Sequence, residues 1–259
     1  MTQPPKASLR NRLNQGDVLI GLMLQQFVHP VTVKIVAQAG FDFVFFEYEH
    51  SFFDMNDMVS AVLAARDNGL PVIVKTPQLE RGEVTKLLDT GVHGIQLPRT
   101  ETKEQVAELL DYMRYPPNGT RAVAPGWGSS DYDSVPNWPA WMKQQDNETI
   151  LVAHIETGKG VENAEGIIST PGVGMLFVGT ADLSADLGHP GDYDHPEIAG
   201  AVQKILDLCL KHRVPFGTLP SGPQAAADWM KRGARFFFVD TELGLLRSAA
   251  KNLVNSYRQ

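Results

Sequence analysis

The stretch that decides the fold is Gly40-Phe-Asp-Phe-Val-Phe-Phe46, a glycine followed at once by a short apolar run. The same form recurs at residues 91–97, 172–178 and 233–239. Each copy follows a segment with helical periodicity, so the glycine stands where a helix ends and a positive φ costs least. An apolar run without alternation predicts a strand covered on both faces, which is typical of a parallel sheet.

A second kind of junction, with proline at a strand start, lies between these copies. It occurs in Gly69-Leu-Pro-Val-Ile-Val-Lys75 and in His212-Arg-Val-Pro-Phe-Gly-Thr218. Adding the apolar runs 18–22 and 149–155 gives eight strands that alternate with helices. This rhythm predicts one (β/α)₈ TIM barrel over residues 1–259. An open doubly wound sheet is the alternative, and it is disfavoured because no G-x-G-x-x-G follows the first strand.

Composition excludes several classes of function. The chain has 259 residues and a formal net charge of -7, which argues against partners such as nucleic acid or an anionic membrane. The single cysteine, Cys209, lies in an apolar helical run and is expected to be a buried, inert thiol. There is no transmembrane-length apolar run, and the first residues lack the apolar segment of a signal peptide, so we expect a cytoplasmic location.

Residues 115–146 interrupt the rhythm of strands and helices. They are rich in proline, glycine and tryptophan and have no clear period, so we expect a long loop with a functional or interface role. Because the segment precedes the fifth strand, we expect it at the bottom of the barrel, away from the chemistry. Arg121 in this segment has two interpretations: it anchors its own loop, or it contacts a substrate bound by a neighbouring subunit.

Charged side chains gather where the predicted strands end. The active site of a (β/α)₈ barrel lies at these carboxyl ends. Charge at the mouth of an apolar barrel is costly to desolvate unless it binds something. The alternative is that acids such as Asp182 and Asp240 merely cap the following helices. The acids and histidines at these ends are Glu47, Glu49, His50, His154, Glu156, Asp182, Asp240 and Glu242.

Two of these acids suggest a metal site. Glu156 and Asp182 follow adjacent strands, and two converging carboxylates suit a hard divalent cation such as Mg²⁺, Mn²⁺ or Co²⁺. No cysteine or histidine cluster has zinc-site spacing. Two protein ligands leave positions open for a chelating substrate, for which the ion would act as a Lewis acid.

His50 and Lys75 are the candidates for proton transfer and charge stabilisation. His50 would be a general base tuned by Glu47, Glu49 or Asp89, and the alternative is a surface histidine. Lys75 would stabilise an enolate, or form a Schiff base, or be a plain solvated lysine. Leu219, with the loops around Trp127 and Tyr132, is expected to shape the pocket for the second substrate.

Several of these segments resemble one family. They are Glu47-Tyr-Glu-His50, Lys75-Thr-Pro77, Tyr115-Pro-Pro-Asn-Gly-Thr-Arg121, Ile155-Glu-Thr157 and Phe177-Val-Gly-Thr-Ala-Asp-Leu-Ser184. In these the chain is similar to the HpcH/HpaI family of metal-dependent pyruvate aldolases, from about Asp17 to the last helix. The resemblance implies an exchanged C-terminal helix and a hexamer built as a trimer of dimers.

The resemblance also implies roles for individual residues. Glu156 and Asp182 would bind the metal, and His50 would be the catalytic histidine, paired with Asp89. The backbone N–H groups of Gly179, Thr180 and Ala181 would face the carboxylate of the substrate.

Three positions depart from the family pattern. Lys75 stands where the family usually has an arginine, which replaces a bidentate fork by a point charge. Glu47 stands where the family usually has aspartate. His154 stands where it usually has glutamine, and it is interpreted as a third metal ligand, a group behind the ligands, a further acid or base, or a substrate contact.

The reaction expected from all of this is an aldol reaction. A pyruvate-like 2-oxo acid would form an enolate that attacks an aldehyde, or the reverse cleavage of a 4-hydroxy-2-oxo acid would occur. The alternatives are a Schiff-base aldolase using Lys75, another metal–enolate reaction (hydrolysis, decarboxylation or condensation), and a protein that binds an oxo acid without turnover.

Overall fold

The computed structural model describes residues 8–258, and its centre is a closed barrel of eight parallel strands in sequence order. The predicted (β/α)₈ barrel is thereby confirmed. The strands are β1 (Leu19–Leu24), β2 (Phe43–Glu47), β3 (Val72–Lys75), β4 (Gly94–Leu97), β5 (Ile150–Ile155), β6 (Val173–Val178), β7 (Phe216–Thr218) and β8 (Phe236–Thr241).

Helices follow the strands and surround the barrel. They are α1 (Leu9–Asn14), α2 (Pro30–Gln38), α3 (Met55–Asp67), α4 (Arg81–Asp89), α5 (Lys103–Met113), α6 (Trp138–Glu148), α7 (Gly158–Glu162), α8 (Ala164–Ile168), α9 (Thr180–Asp186), α10 (Pro196–His212), α11 (Pro223–Arg232) and α12 (Glu242–Tyr257). No helix in the described part of the chain is long and apolar enough to cross a membrane.

The four glycines of the repeated junction have the conformation that the sequence predicts. Gly40, Gly91, Gly172 and Gly233 have φ values of 91°, 94°, 110° and 108°. A side chain would be strained there, so glycine lets each helix pass into the next strand through only three or four connecting residues.

Strand residues alternate between two separate cores. Outward-facing residues such as Val44 and Phe46 pack under the helices, whereas inward-facing residues fill the barrel. Phenylalanines dominate the interior: the Phe43 and Phe236 rings stack at 4.0 Å, and Phe45 lies 4.4 Å from Phe238. These rings fill the barrel below its mouth, so a ligand cannot pass through it.

Helix α1 covers the bottom of the barrel. Its buried residues Leu9 and Leu13 belong to the cluster of the barrel interior. This end of the barrel is therefore closed, and the carboxyl ends of the strands lie at the opposite end.

The segment 115–146 is more ordered than the sequence indicates. It contains a 3₁₀ turn at Gly128–Ser130 and the start of α6, so the expectation of a segment without regular structure is wrong for its second half. Asn137 caps α6 by accepting a hydrogen bond from the Ala140 N–H. Gly128 packs against the Thr90 carbonyl, just before β4, which places the turn at the bottom of the barrel as expected.

Helix α12 is anchored at its start and otherwise exposed. The Glu242 carboxylate accepts hydrogen bonds from the N–H groups of Gln25, Gln26 and Phe27, at 2.6–3.1 Å. Glu242 is the buried residue of this helix within the described chain. The apolar residues of α12 that remain exposed are Leu245, Leu246, Leu253, Val254 and Tyr257.

Candidate active site

A cavity of about 390 Å³ opens at the carboxyl end of the barrel. Its polar wall comes from the ends of β2 to β6, and its floor is formed by phenylalanine rings. The residues that line it are Met23, Phe45, Glu47, His50, Lys75, Gln96, His154, Phe177, Gly179, Thr180, Ala181, Asp182, Tyr193, Leu219, Pro220, Ser221 and Phe238.

Strand alternation explains why these polar side chains meet. Glu47, Lys75 and Gln96 are register partners on three neighbouring strands and occupy the last inward-facing positions. The residue two positions earlier on each strand also faces inward and lies one layer lower in the barrel, as Phe45 does below Glu47. All three side chains are buried, so the barrel holds a polar layer directly above an apolar one.

Lys75 is held between two carboxylates. Its Nζ lies 2.5 Å from Glu49 Oε2 and 3.6 Å from Glu47 Oε2. Burial by itself lowers the pKa of Lys75, but the carboxylates of Glu47, Glu49 and Glu156 outweigh it and raise that pKa. Lys75 is therefore an ammonium ion, and because its side chain is buried between these carboxylates, the interpretation as a plain solvated lysine is wrong.

Glu47 also organises the loop after β2. Its Oε1 accepts hydrogen bonds from the N–H groups of Glu49, at 2.9 Å, and of His50, at 3.3 Å. Glu47, Glu49 and His50 are close enough to hold a metal ion. The Lys75 ammonium already balances one of these two negative charges, however, and lies 2.5 Å and 3.6 Å from the carboxylates, so it would repel a divalent cation held between them.

Glu156 is a buried carboxylate with one satisfied oxygen. Oε1 accepts a hydrogen bond of 2.6 Å from the Arg99 N–H, which is aimed by the positive φ of Arg99, 43°. Oε2 has no hydrogen-bond partner among residues 8–258. Burial raises the pKa of Glu156 to about 7, the charges of Asp182 and Glu49 add to this, and Lys75 and the Arg99 N–H oppose it.

His154 is a buried neighbour of Glu156. Its Nδ1 lies 3.2 Å from Glu156 Oε2, yet neither ring nitrogen has a hydrogen-bond partner in the part of the chain that the structure describes. Burial, with the charge of Lys75, lowers the pKa of His154 well below its usual value. The ring is therefore neutral.

Asp182 and Gly179 complete this side of the mouth. Asp182 is exposed in the first turn of α9, lines the cavity and is close enough to raise the pKa of Glu156. The Gly179 N–H donates to the Ile155 carbonyl at 3.1 Å, so the expectation that it faces a substrate is wrong. The following Thr180 and Ala181 begin a helix that has no side-chain cap.

His50 and Asp89 are not brought together within the described chain. His50 is exposed, and its Nε2 lies 3.5 Å from Glu49 Oε2. Asp89 ends α4 and does not line the cavity; its carboxylate lies 3.5 Å from Arg121. Burial raises the pKa of Asp89, against the opposing effect of Arg121. The expected His50–Asp89 pair is therefore not made in a single chain, and Glu49 is the acid beside His50.

Arg121 anchors its own loop. The guanidinium is fully buried, pairs with Asp89 and lies 4.5 Å from the centroid of the Tyr115 ring. Of the two interpretations of this residue, the structure supports the internal anchor. Trp127 and Tyr132 likewise do not line the cavity, whereas Leu219 does.

Sequence reasoning missed Gln96 and Tyr193 as cavity residues. The sequence does contain a signal for Gln96, since a single polar residue in the short, otherwise apolar strand β4 indicates a functional position. Tyr193 lies in the connection between α9 and α10, and no periodicity indicates which way such a residue faces.

A second histidine cluster lies outside the cavity. His189, His195 and Glu197 are close enough to hold a metal ion, and the two imidazole rings stack at 3.4 Å. His195 Nδ1, however, accepts a hydrogen bond from the Glu197 N–H, so its proton lies on Nε2. A ligating histidine normally donates from its second nitrogen, so this arrangement suits a helix cap better than a metal site.

The fold and the cavity define a (β/α)₈ barrel whose polar side chains gather at the carboxyl ends of β2 to β6. The chain belongs to the HpcH/HpaI aldolase/citrate lyase family, whose sequence profile matches residues 22–249. It is an enzyme of the carbon–carbon lyase class, and the family generally depends on a divalent metal.

Named relatives and solved structures agree with this assignment. The 5-keto-4-deoxy-D-glucarate aldolase of Klebsiella pneumoniae is 33% identical over 231 residues, 89% of each chain. The HpcH/HpaI aldolase from Desulfitobacterium hafniense has a TM-score of 0.92 at 29% identity and covers 98% of both chains. The citrate synthase SbnG has a TM-score of 0.88 at 26% identity, over 97% of this chain and 98% of its own.

Proposed function

We propose that this protein is a divalent-metal-dependent aldolase that forms or cleaves 4-hydroxy-2-oxo acids through a pyruvate-type enolate. Glu156 and Asp182 would hold the ion, which is Mg²⁺, Mn²⁺ or Co²⁺. The observation that carries the proposal is the buried Glu156 Oε2, which has no partner among the described residues, and the charge of a second carboxylate, Asp182, raises the pKa of Glu156 further.

The donor set fits a hard cation. Burying an ionised carboxylate without a partner destabilises the folded protein by several kcal/mol. The negative charge of Asp182 opposes ionisation of Glu156 and raises its pKa further. A divalent cation removes both penalties, and oxygen ligands are those that Mg²⁺ and Mn²⁺ prefer.

The residues around the ion would stabilise charge, move a proton and contact the substrate. When bound, the metal polarises the keto oxygen of the 2-oxo acid and stabilises negative charge that develops there. Lys75 adds a buried positive charge beside that oxygen. His50 at the rim moves the proton at C3 of the donor, with Glu49 as the acid beside it. The N–H groups of Thr180 and Ala181 and the His154 ring contact the 2-oxo acid.

The Schiff-base alternative is disfavoured by the state of Lys75. A nucleophilic lysine must lose its proton, and such lysines are usually desolvated or placed beside another cation. Lys75 is instead paired with Glu49 and Glu47, which stabilise its ammonium form.

The substrate class follows from the relatives and from the cavity. The Klebsiella pneumoniae relative acts, by its name, on 5-keto-4-deoxy-D-glucarate. We propose an acid of this kind, with pyruvate as the donor and an aldehyde as the acceptor. The exposed Leu219, at the outer wall, would contact the acceptor end.

The assembly is part of the proposal. The exposed apolar face of α12 supports a C-terminal helix exchanged between copies, in a hexamer built as a trimer of dimers. Light scattering after size exclusion gives the mass directly, and a monomer would contradict this part alone.

The experiment is a cleavage assay on 5-keto-4-deoxy-D-glucarate with detection of released pyruvate. We expect turnover with Mn²⁺, loss of turnover with excess EDTA and recovery when the metal is restored. Glu156→Gln should reduce turnover by about 10²-fold or more, because it removes one charged ligand. Full turnover in EDTA, together with borohydride trapping of Lys75, would support the Schiff-base route instead.

A further inference from the structure

His154 has no role in the proposed reaction beyond contact with the substrate. It is buried, it lies on the inward face of β5, and both of its nitrogens lack a hydrogen-bond partner within residues 8–258. A buried imidazole normally satisfies at least one nitrogen, so an unpartnered ring beside an unpartnered carboxylate oxygen requires an explanation.

We propose that His154 is a third protein ligand of the divalent ion, binding it through Nδ1 alongside Glu156 Oε2 and Asp182. This inference rests on the proposed function, since it concerns the same metal site. It changes the donor set from two oxygens to two oxygens and one nitrogen.

The distance between the two unpartnered atoms supports shared ligation. Metal–ligand bonds of about 2.0–2.2 Å place neighbouring ligand atoms of an octahedral ion about 3 Å apart. His154 Nδ1 and Glu156 Oε2 lie 3.2 Å apart. The two atoms do not form a hydrogen bond with each other, and neither has another partner in the described chain. One cation between them would satisfy both.

Packing, and not hydrogen bonding, orients the ring. Phe177 meets the His154 ring edge-on, with centroids 5.4 Å apart and planes at 68°. On another side, a Cβ at Gly179 would come within hard contact of His154 Nε2, and 3.1 Å from Glu156 Oε2. Gly179 therefore leaves the space that the His154 ring occupies beside Glu156.

The second ring nitrogen then has a definite role. With Nδ1 on the ion, the proton lies on Nε2, and ligating histidines donate that proton to an oxygen. The described protein offers no acceptor to Nε2. Because His154 lines the cavity, an oxygen of the bound 2-oxo acid is the acceptor.

A nitrogen ligand has a consequence for metal preference. Mg²⁺ favours an all-oxygen set, whereas imidazole suits later transition ions, whose affinities rise from Mn²⁺ to Co²⁺ and Ni²⁺. We expect His154→Gln to weaken Co²⁺ binding by about tenfold or more, and Mg²⁺ binding much less. Titration calorimetry on the metal-free protein measures both affinities.

Pulsed electron paramagnetic resonance of the Mn²⁺-loaded protein tests ligation without relying on activity. We expect ¹⁴N modulation from a directly bound imidazole in the wild type and in His50→Gln, the control histidine of the same cavity. We expect none in His154→Gln, which should still bind Mn²⁺. Gly179→Ala, which displaces the ring without changing it, should also lose the modulation.

The outcomes separate this inference from the proposed function. Wild-type protein that binds Mn²⁺ in a Glu156-dependent way without ¹⁴N modulation overturns the role of His154 and leaves the metal site standing. Modulation that disappears in His50→Gln and persists in His154→Gln assigns the ligand to His50 and also overturns it. A wild type that binds no Mn²⁺ refutes both proposals together.

Discussion

Glu156→Gln should make the metal-free protein more stable at pH 8, although it removes a proposed catalytic ligand. The folded protein raises the pKa of Glu156 from 4.5 to about 7, chiefly by burial. For an acid this shift means that the folded state penalises ionisation. The penalty is absent below pH 4.5, grows between pH 4.5 and about 7, and is complete above that.

The size of the effect follows from the shift. At 1.36 kcal/mol per pKa unit, the penalty at pH 8 is about 3 kcal/mol. The glutamine amide oxygen can still accept the Arg99 hydrogen bond, so the variant retains the contact and loses the charge. A change of this size should raise the melting temperature by several degrees in a barrel of this length.

The assay is thermal unfolding in EDTA at pH 8 and at pH 4.5, with Glu104→Gln as an exposed control. We expect Glu156→Gln to be stabilised at pH 8 and unchanged at pH 4.5, and the control to shift little at either pH. Excess Mn²⁺ should stabilise the wild type and leave the variant unaffected. A variant that is less stable than the wild type in EDTA at pH 8 would refute the reasoning.

Three further predictions concern other charges and the last helix. Lys75→Met should lower the free energy of unfolding by about 3 kcal/mol at pH 7, because it leaves buried carboxylates without their cation; calorimetry measures the loss, and adding Glu49→Gln should recover part of it. Since the folded protein raises the pKa of Lys75, the stability that its charge contributes is full below pH 10.5 and is lost as the pH rises through the raised value. If the free energies of unfolding of the wild type and Lys75→Met differ by the same amount at pH 7 and at pH 12, the pairing is contradicted. Arg121→Met should destabilise the protein similarly without changing the KM for the 2-oxo acid, and a changed KM would indicate a substrate contact. Leu253→Asp should reduce the mass measured by light scattering, and an unchanged mass would exclude that face of α12 from the interface.

Much of the fold follows from the sequence because strands and their junctions have short-range signals. Gly40 and Gly233 mark helix ends, and the apolar runs after them mark buried parallel strands. Once eight strands alternate with helices, closure brings all strand ends to one mouth. The sequence alone therefore predicts that the inward-facing residues at the strand ends line the cavity, among them Glu47, Lys75 and His154.

The remainder depends on which side chains meet across the barrel, and local sequence does not encode that. The ion pairs of Lys75 with Glu47 and Glu49, and the approach of His154 to Glu156, result from register between strands. The resemblance carried over a His50–Asp89 pair that one chain does not make. The sequence also does not show that the Gly179 N–H is occupied, because its partner, the Ile155 carbonyl, lies on the neighbouring strand.

The most direct test of the central claim is hydrogen exchange of pyruvate in D₂O, followed by NMR as loss of the methyl signal. Enolate formation at a metal held by Glu156 and Asp182 predicts exchange with Mn²⁺, none with excess EDTA, and at most a small residual rate in Glu156→Gln. Exchange that is equally fast in EDTA would contradict the account, because the enolate would then form without the ion.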